Sequence, residues 1–472
     1  MQPNLIAGEW TQADRVTTVR SPWSGEVLAE VAEATEAQVE RAIACAHAAR
    51  AEAAALPTWR RAEICRAVAD AIAAQAEPLA QTLSAEAAKP IDYARGEVAR
   101  AVDTFTFAGE EVRSARGEVI PMDAAKRADD KWAMTRRFPA GVVSAITPFN
   151  FPLNLVAHKV APALAAGCPI IVKPAASTTQ TALALAKIVL EAGWPPAAIS
   201  VLNAPHEAPA AMVPDPRVAV LSFTGSDTVG WQLKSQSGKK RVILELGGDA
   251  AVIVEPDAPD WDAMIRKIAA GAFAYAGQVC ISVQRVLVHQ DVSERFTADL
   301  LAAIDSQVRV GAPDQPGVVM SALIDERAVT KVNDLVAGAE AAGARRLCGG
   351  HREGRLFDPM VLTDVAPDTR LARTELFGPG VIIDTYTDFS EALSRVNRSR
   401  FGLQAGVFTA RIDRATEAFE TLEVGAVLIS EVPTFRVDHM PYGGVKDSGL
   451  GREGLRYAIA DYSEERMLVL PR

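Results

Sequence analysis

Three side chains in this sequence have the types that covalent acyl chemistry requires. Cys280, in Gly277-Gln278-Val279-Cys280, is a thiol able to attack a carbonyl carbon. Glu245, in Glu245-Leu246-Gly247-Gly248, comes earlier in the chain and is a carboxylate able to serve as general base. Asn150, in Thr147-Pro148-Phe149-Asn150, brings an amide able to hold an oxyanion. None is specific alone. A solitary cysteine is more often buried and inert, and a glutamate at a strand end more often caps or pairs with a base. Their order and surroundings carry the signal.

The elements that must position these groups alternate between strand and helix. Val142 to Ile146 reads as a short apolar strand ending at Thr147-Pro148, followed by a helix from Leu155 to Ala166. Pro169 to Val172 is the next strand, ending in Lys173-Pro174, and a helix follows from Thr179 to Ala192. Strands at 199–202, 218–223 and 241–246 complete the set. Such alternation predicts a parallel α/β sheet, whose ligands bind at the carboxyl ends of the strands. Thr147 to Asn150, Lys173, Gly225-Ser226 and Glu245 all fall at such ends. The pattern resumes after Gly248, with a strand at 250–254, a helix from Trp261 to Ala276 and a strand at 286–288, predicting a second α/β unit.

Ahead of the sheet, amphipathic spacing predicts helices over 36–55, from Trp59 towards Leu83, and from Tyr93 to Val112. The segment 116–137 is polar and Gly/Pro-punctuated, then alternates, as expected of a protruding hairpin or arm. The predicted division is 1–120 with 141–247 as one unit, 248–448 as a second, and 121–140 with 455–472 as an arm and terminal strand. No internal repeat or low-complexity linker is present.

Composition narrows the partners. The formal net charge of −10 argues against nucleic acid and anionic membrane surfaces. The five cysteines are scattered with no C-x-x-C spacing, which fits a reducing cytosol and neither a disulfide framework nor a zinc site. The six histidines form no H-x-x-x-H pattern, so no metal is expected. The N-terminal residues lack a basic then apolar leader, and no window is long and apolar enough to span a bilayer. A cytoplasmic protein is predicted.

Taken together, the motifs resemble the aldehyde dehydrogenase superfamily. They are Thr147 to Pro152, Lys173-Pro174, Phe223-Thr224-Gly225-Ser226, Glu245 to Gly248, Gly277 to Cys280, Glu375-Leu376-Phe377-Gly378-Pro379, and the loop from Pro441 to Glu453. Seven motifs in order cover nearly the whole chain. The resemblance implies two Rossmann-like α/β domains plus a β oligomerisation arm, assembled as a homodimer or homotetramer. It implies oxidation of an aldehyde to the acid with NAD or NADP, through a cysteine thiohemiacetal and thioester. Cys280 would be the nucleophile, Glu245 the base that deacylates it, and Asn150 with the Cys280 N–H the oxyanion donors.

On the cofactor side no strand of residues 141–247 leads into a G-x-G-x-x-G fingerprint. Its nearest substitute is Gly225-Ser226, opening a helix whose free N–H groups suit a phosphate. By resemblance, Lys173 meets the adenosine ribose, Glu375 holds the nicotinamide ribose and Phe377 packs on the nicotinamide side. Ile146, Thr147, Pro148 and Phe149 join the cofactor set, as do Ala176, Leu246 and Gly247. Many NAD-preferring members carry an acid where this chain has Ala176, so a 2′-phosphate would meet no carboxylate there. The stretch Asn203 to Pro209 replaces a Gly-rich run often found before Phe-Thr-Gly-Ser.

The substrate end is expected in the loop from Ser430 to Met440. Arg436 and His439 could hold a carboxylate, phosphate, phosphonate or sulfonate. The loop resembles that of lactaldehyde and non-phosphorylating glyceraldehyde-phosphate dehydrogenases, which act on small hydroxy- or phospho-aldehydes. The plainer alternative is that Arg436 pairs with Asp438 or Glu431 and shapes the loop. Three other readings compete: a CoA-acylating semialdehyde dehydrogenase, a catalytically silent scaffold, and a cofactor-free cysteine hydrolase. Glu245 counts against the first, the presence of Cys280, Asn150 and Glu245 against the second, and the Lys173, Gly225 and Glu375 motifs against the third.

Overall fold

The computed structural model describes residues 1–114, 116–205 and 211–472. Positions 206–209 of the Asn203-to-Pro209 stretch lie outside the described residues.

The short apolar strands assemble as their hydrophobicity requires. Val142–Ile146 and Ile170–Lys173 are buried along their whole length, as expected for strands covered on both faces. An eight-stranded sheet runs Glu9–Thr11, Asn4–Ile6, Ile199–Val201, Ile170–Lys173, Val142–Ile146, Val218–Thr224, Arg241–Glu245, Gly449–Leu450. Its five central strands are parallel, and the flanking pairs formed by Asn4–Ile6 and Gly449–Leu450 are antiparallel. The strand order reverses direction between Val142–Ile146 and Val218–Thr224. A crevice opens at such a switch point, beyond the carboxyl ends of the strands.

The second sheet has seven strands: Arg345–Cys348, Met360–Thr363, Gly380–Tyr386, Arg285–His289, Ala251–Val254, Gln404–Phe408 and Ala426–Ile429. Only Arg345–Cys348 runs antiparallel to its neighbour. Each sheet has its own apolar core, one centred on Ile64, Phe105, Val160 and Ile188, the other on Ile268, Phe296, Val332 and Leu362. This mixed α/β architecture with two largely parallel sheets is the fold class expected from the alternation.

The arm is a three-stranded antiparallel sheet of Ser463–Pro471, Lys131–Pro139 and Val119–Ile120. Residues 455–461, grouped with the terminal strand on sequence grounds, instead form the helix Leu455–Asp461, which packs on the first unit with Leu455 and Ile459 buried in its core. The helix expected from Trp59 to Leu83 is two, Thr58–Ala74 and Ala76–Ala87. Pro78 lacks an N–H and fits only the first turn of a helix, so the chain restarts just ahead of it. No helix among the described residues is long and apolar enough to cross a membrane.

Candidate active site

Cys280 is delivered by an unusual turn. The helix Trp261–Phe273 stops short of the expected Ala276, because Tyr275 and Ala276 take left-handed φ values of 52° and 53° and Gly277 follows at 68°. Left-handed backbone costs a residue with a side chain about 1–2 kcal/mol, so the surroundings must enforce it. The buried Tyr275 does so through its hydroxyl, which donates to the Ala87 carbonyl at 2.9 Å. Gly277 is required, since a Cβ there would collide with the Gly378 carbonyl oxygen.

The Cys280 Sγ lies 3.1 Å from the Tyr442 hydroxyl. Burial pushes the thiol up to about 12, only partly offset by the Tyr442 hydrogen bond. Glu375 and Glu245 raise it further, and Arg436 lowers it. A resting thiol rather than a thiolate follows.

Asn150 is buried, and its Nδ2 donates to the Gln278 carbonyl at 3.0 Å. One Nδ2 hydrogen is thereby spent and the other is left for a second acceptor. Asn150 and Cys280 line one cavity of about 210 Å³. Pro148, Phe149, Gly225 and Ser226 line it too, with Leu246, Gly247, Glu375 and Phe377 opposite. The structure therefore brings ten of the sequence-singled residues around one space. It adds Lys331, whose ammonium lies near enough to Glu375 to pull that carboxyl down.

Glu375 is fixed by its neighbours. Its Oε1 accepts the Gly248 N–H at 2.9 Å, and the Leu376 N–H donates to Gln284 Oε1 at 2.7 Å. Burial pushes its carboxyl up to about 7. Gly247 leaves it room, since a Cβ there would sit 2.6 Å from Glu375 Oε2. Phe149 and Phe377 meet edge to face with centroids 6.1 Å apart.

Glu245 ends the strand Arg241–Glu245, fully paired with Thr224 on one side and Gly449 on the other. It is 3% exposed, and among the described residues neither carboxyl oxygen has a hydrogen-bond partner. Burial, then the neighbouring Glu453 charge, hold its pKa well above the usual carboxylate range, against the pull of Arg436, Lys159 and Arg452. Gly443 again makes space, for a Cβ there would lie 2.7 Å from Glu245 Oε1.

Behind Glu245 lies a buried charge network that the sequence reading missed. Glu453 Oε2 accepts from Arg436 at 2.9 Å and faces His158 Nδ1 at 2.9 Å, and its Oε1 is 3.4 Å from Lys159 Nζ. Burial opposes the Glu453 charge, but His158, Lys159 and Arg436 together hold it ionised. His158 Nε2 faces Asp438 at 2.7 Å, and Asp438 also takes Arg100 at 2.7 Å. One signal was available: His158 and Lys159 are adjacent in Asn154–Ala166, a helix with every residue buried. Polar groups buried in an apolar helix require partners.

Arg436 corrects an expectation. It pairs with neither Asp438 nor Glu431, since Asp438 is taken by Arg100 and His158 and Glu431 by Lys267. Its partner is Glu453, and its guanidinium lies 3.6 Å over the Tyr442 ring centroid. Its side chain is 6% exposed, yet among the described residues its Nε has no acceptor. His439 is exposed and stacks edge-on against Phe107 at 4.9 Å. Ile146 and Thr147 continue the strand end beside the cavity, Lys173 is buried at the end of Ile170–Lys173, and Ala176 opens the short turn Ala176–Thr178.

Comparison with known proteins agrees with this architecture. The chain is 38% identical over 466 residues to a 3-sulfolactaldehyde dehydrogenase of Priestia aryabhattai, covering 98% of this chain and 97% of the relative. Aldehyde dehydrogenase 21 of Physcomitrella patens, solved with the reaction product succinate, superposes with a TM-score of 0.97 at 39% identity, covering 100% and 98% of the two chains. The NADP-dependent glyceraldehyde-3-phosphate dehydrogenase of Bacillus halodurans C-125, solved with NADP, superposes at 0.96 with 34% identity, covering 100% and 99%. The aldehyde dehydrogenase family model matches residues 10–468, and the chain belongs to that family of enzymes.

Proposed function

We propose that this enzyme oxidises a small anionic aldehyde to the acid, with NAD or NADP, through a covalent intermediate on Cys280. The observation that carries this reading is the convergence of Cys280, Asn150 and Glu375 on one cavity, with Glu245 buried nearby and unpaired.

The cavity suits the nicotinamide end of the cofactor. Gly225 and Gly247 let the Phe223 ring and the Glu375 carboxyl pack against the backbone here, and Ser226 precedes the helix Asp227–Gln236, whose first N–H groups suit a phosphate. Lys173, Ala176, Ile146 and Thr147 would take the adenosine side. Pro148, Phe149, Leu246, Glu375 and Phe377 would hold the nicotinamide side. When bound, the nicotinamide supplies the hydride acceptor.

The chain's own residues do the rest. Cys280 begins as a thiol, so its proton must leave as sulfur bonds the aldehyde carbon. That proton passes to solvent, and the Glu245 carboxyl, buried and without a hydrogen-bond partner among the described residues, is kept for the water that enters later. Asn150 Nδ2 and the Cys280 N–H hold the oxyanion, a type of donor typically worth roughly 3–4 kcal/mol. Once hydride has left, a thioester remains on Cys280. Glu245 draws a proton from water, which attacks the carbonyl carbon and releases the acid as the C–S bond breaks.

The anionic preference rests on Arg436. Its guanidinium stacks on the tyrosine that touches Cys280, and its buried Nε lacks an acceptor. A carboxylate, sulfonate or phosphate a few bonds from the aldehyde would meet that N–H. The resemblance to a 3-sulfolactaldehyde dehydrogenase and to a succinate-bound structure supports the same class. His439, exposed against Phe107, would line the entrance. Cofactor reduction against matched anionic and neutral aldehydes tests this: at least a tenfold preference in kcat/KM for the anion is expected, and equal rates would overturn it. Added CoA should not raise the rate, since Glu245 supplies the base that hydrolysis needs.

The terminal strand Ser463–Pro471 is the outer edge of its sheet and exposes Met467, Leu468, Val469 and Leu470. An apolar edge of this kind invites pairing with another copy, which supports a homodimer or homotetramer. Five free cysteines fit a cytoplasmic location. The units 1–120 with 141–247 and 248–448, carrying cofactor and nucleophile respectively, complete this reading.

A further inference from the structure

A second cavity, of about 700 Å³, lies on the catalytic sheet and shares no lining residue with the Cys280 cavity. Five arginines line it: Arg285, Arg373, Arg395, Arg398 and Arg400. Asp384 and Glu391 share the lining, and Asp227, Asp249 and Asp447 reach its arginines from outside it. Burial raises the Asp384 carboxyl, and Arg285 and Arg395 beside it pull it back down.

The arginines are incompletely matched. Arg400 is paired with Asp227 and Asp447, and Arg395 with Glu391. Among the described residues, Arg398 has no ion pair, and Arg373 binds only the Pro367 carbonyl through its Nε. Arg285 is 14% exposed, reaches Asp249 only at 3.6 Å, and has a buried Nε with no acceptor. Planar guanidinium groups with free N–H edges around a space of this size suit a ligand with several oxyanions.

The segment from Ala372 to Phe377 contributes to both linings, Ala372 and Arg373 to this cavity and Glu375 and Phe377 to the other. Arg285 donates to the Ala372 carbonyl at 2.9 Å, and its neighbour Gln284 accepts the Leu376 N–H at 2.7 Å. Arg285, the first residue of its strand, and Gln284 just before it therefore grip both ends of the segment that carries Glu375. An anion that recruits Arg285 competes with the Ala372 carbonyl.

We propose that this five-arginine cavity is a binding site for a small polyanion, of the phosphorylated or polycarboxylate metabolite class, whose occupancy is felt by the Glu375 segment. The coupling clause rests on the assignment of Glu375 to the cofactor; the binding clause does not.

The test is calorimetric titration of the full-length enzyme, saturated with NADP so that the cofactor cavity is filled. Pyrophosphate and citrate serve as probes, against sodium chloride at matched ionic strength. Saturable binding of at least one probe is expected, weakened tenfold or more in R373Q/R398Q. Absence of saturable binding, or binding indifferent to that variant, overturns the site. The single variant R398Q, far from the reacting groups, should keep its basal turnover. In the wild type the bound probe should shift KM for the cofactor severalfold, and the shift should vanish in R373Q/R398Q. Binding with an unchanged KM would overturn the coupling while leaving the site.

Discussion

The Cys280 thiol lies 3.1 Å from the Tyr442 hydroxyl, and the same tyrosine ring carries the Arg436 guanidinium 3.6 Å from its centroid. One side chain thus links the nucleophile to the cation that would hold the far end of the substrate. Tyr442→Phe should raise the Cys280 pKa further, because the phenol's hydrogen bond is the larger of the two influences, with Arg436, that lower it. A hydrogen bond to a charged group is worth about 1.5–3 kcal/mol, so kcat/KM should fall roughly 10- to 100-fold. The pH dependence of iodoacetamide alkylation reads the thiol directly; an unshifted profile would separate Tyr442 from Cys280 activation.

Arg436→Lys keeps the charge but loses the fork and the flat face over Tyr442. The expected result is a rise of tenfold or more in KM for anionic aldehydes, with a much smaller change for neutral ones. Steady-state kinetics on matched pairs of aldehydes would reveal it. Equal losses on both would make Arg436 a support for Glu453 and Tyr442 alone.

Glu375 predicts a pH effect on stability. Its folded pKa, about 7, is raised above the ordinary 4.5. The folded state therefore binds the extra proton between those values, and stability is lost as pH rises through that window. Glu375→Gln should therefore relieve a cost of about 3 kcal/mol at pH 8 and less than about 1 kcal/mol at pH 5. Thermal melts at the two pH values measure the difference. An equal change in Tm at both would assign the effect to packing.

Gly443→Ala places a methyl 2.7 Å from Glu245 Oε1. The same methyl lies 2.8 Å from the Gly451 carbonyl oxygen, so the Glu245 carboxyl turns away or the loop shifts. Turnover should drop by about 100-fold, within the range of losing a general base, while the single-turnover burst of reduced cofactor persists. Rapid-mixing absorbance distinguishes the phases, and loss of the burst as well would mean that the whole loop had moved.

Much of this site was readable in the chain because its parts are local. Thr147 to Asn150, Gly225-Ser226 and Glu245 each sit at a strand end, and a short apolar run bounded by polar or turn residues marks such an end well. The turn before Cys280 was not readable: three successive left-handed residues violate the helical pattern, and only tertiary contacts such as Tyr275 to Ala87 enforce them. The network behind Glu245 was hidden for a different reason. His158 meets Asp438 across 280 positions, and Arg436 meets Glu453 rather than a closer acid in its own loop. Proximity along the chain favoured Asp438 and Glu431, and the fold had already given both to other bases.

The central claim is a covalent acyl intermediate on Cys280 released by Glu245. Its most direct test is intact and peptide mass spectrometry of Glu245→Gln incubated with aldehyde and cofactor. The account predicts one acyl adduct, on the peptide that contains Cys280, persisting because water is no longer activated. Normal turnover with no adduct, or an adduct on another cysteine, would contradict it.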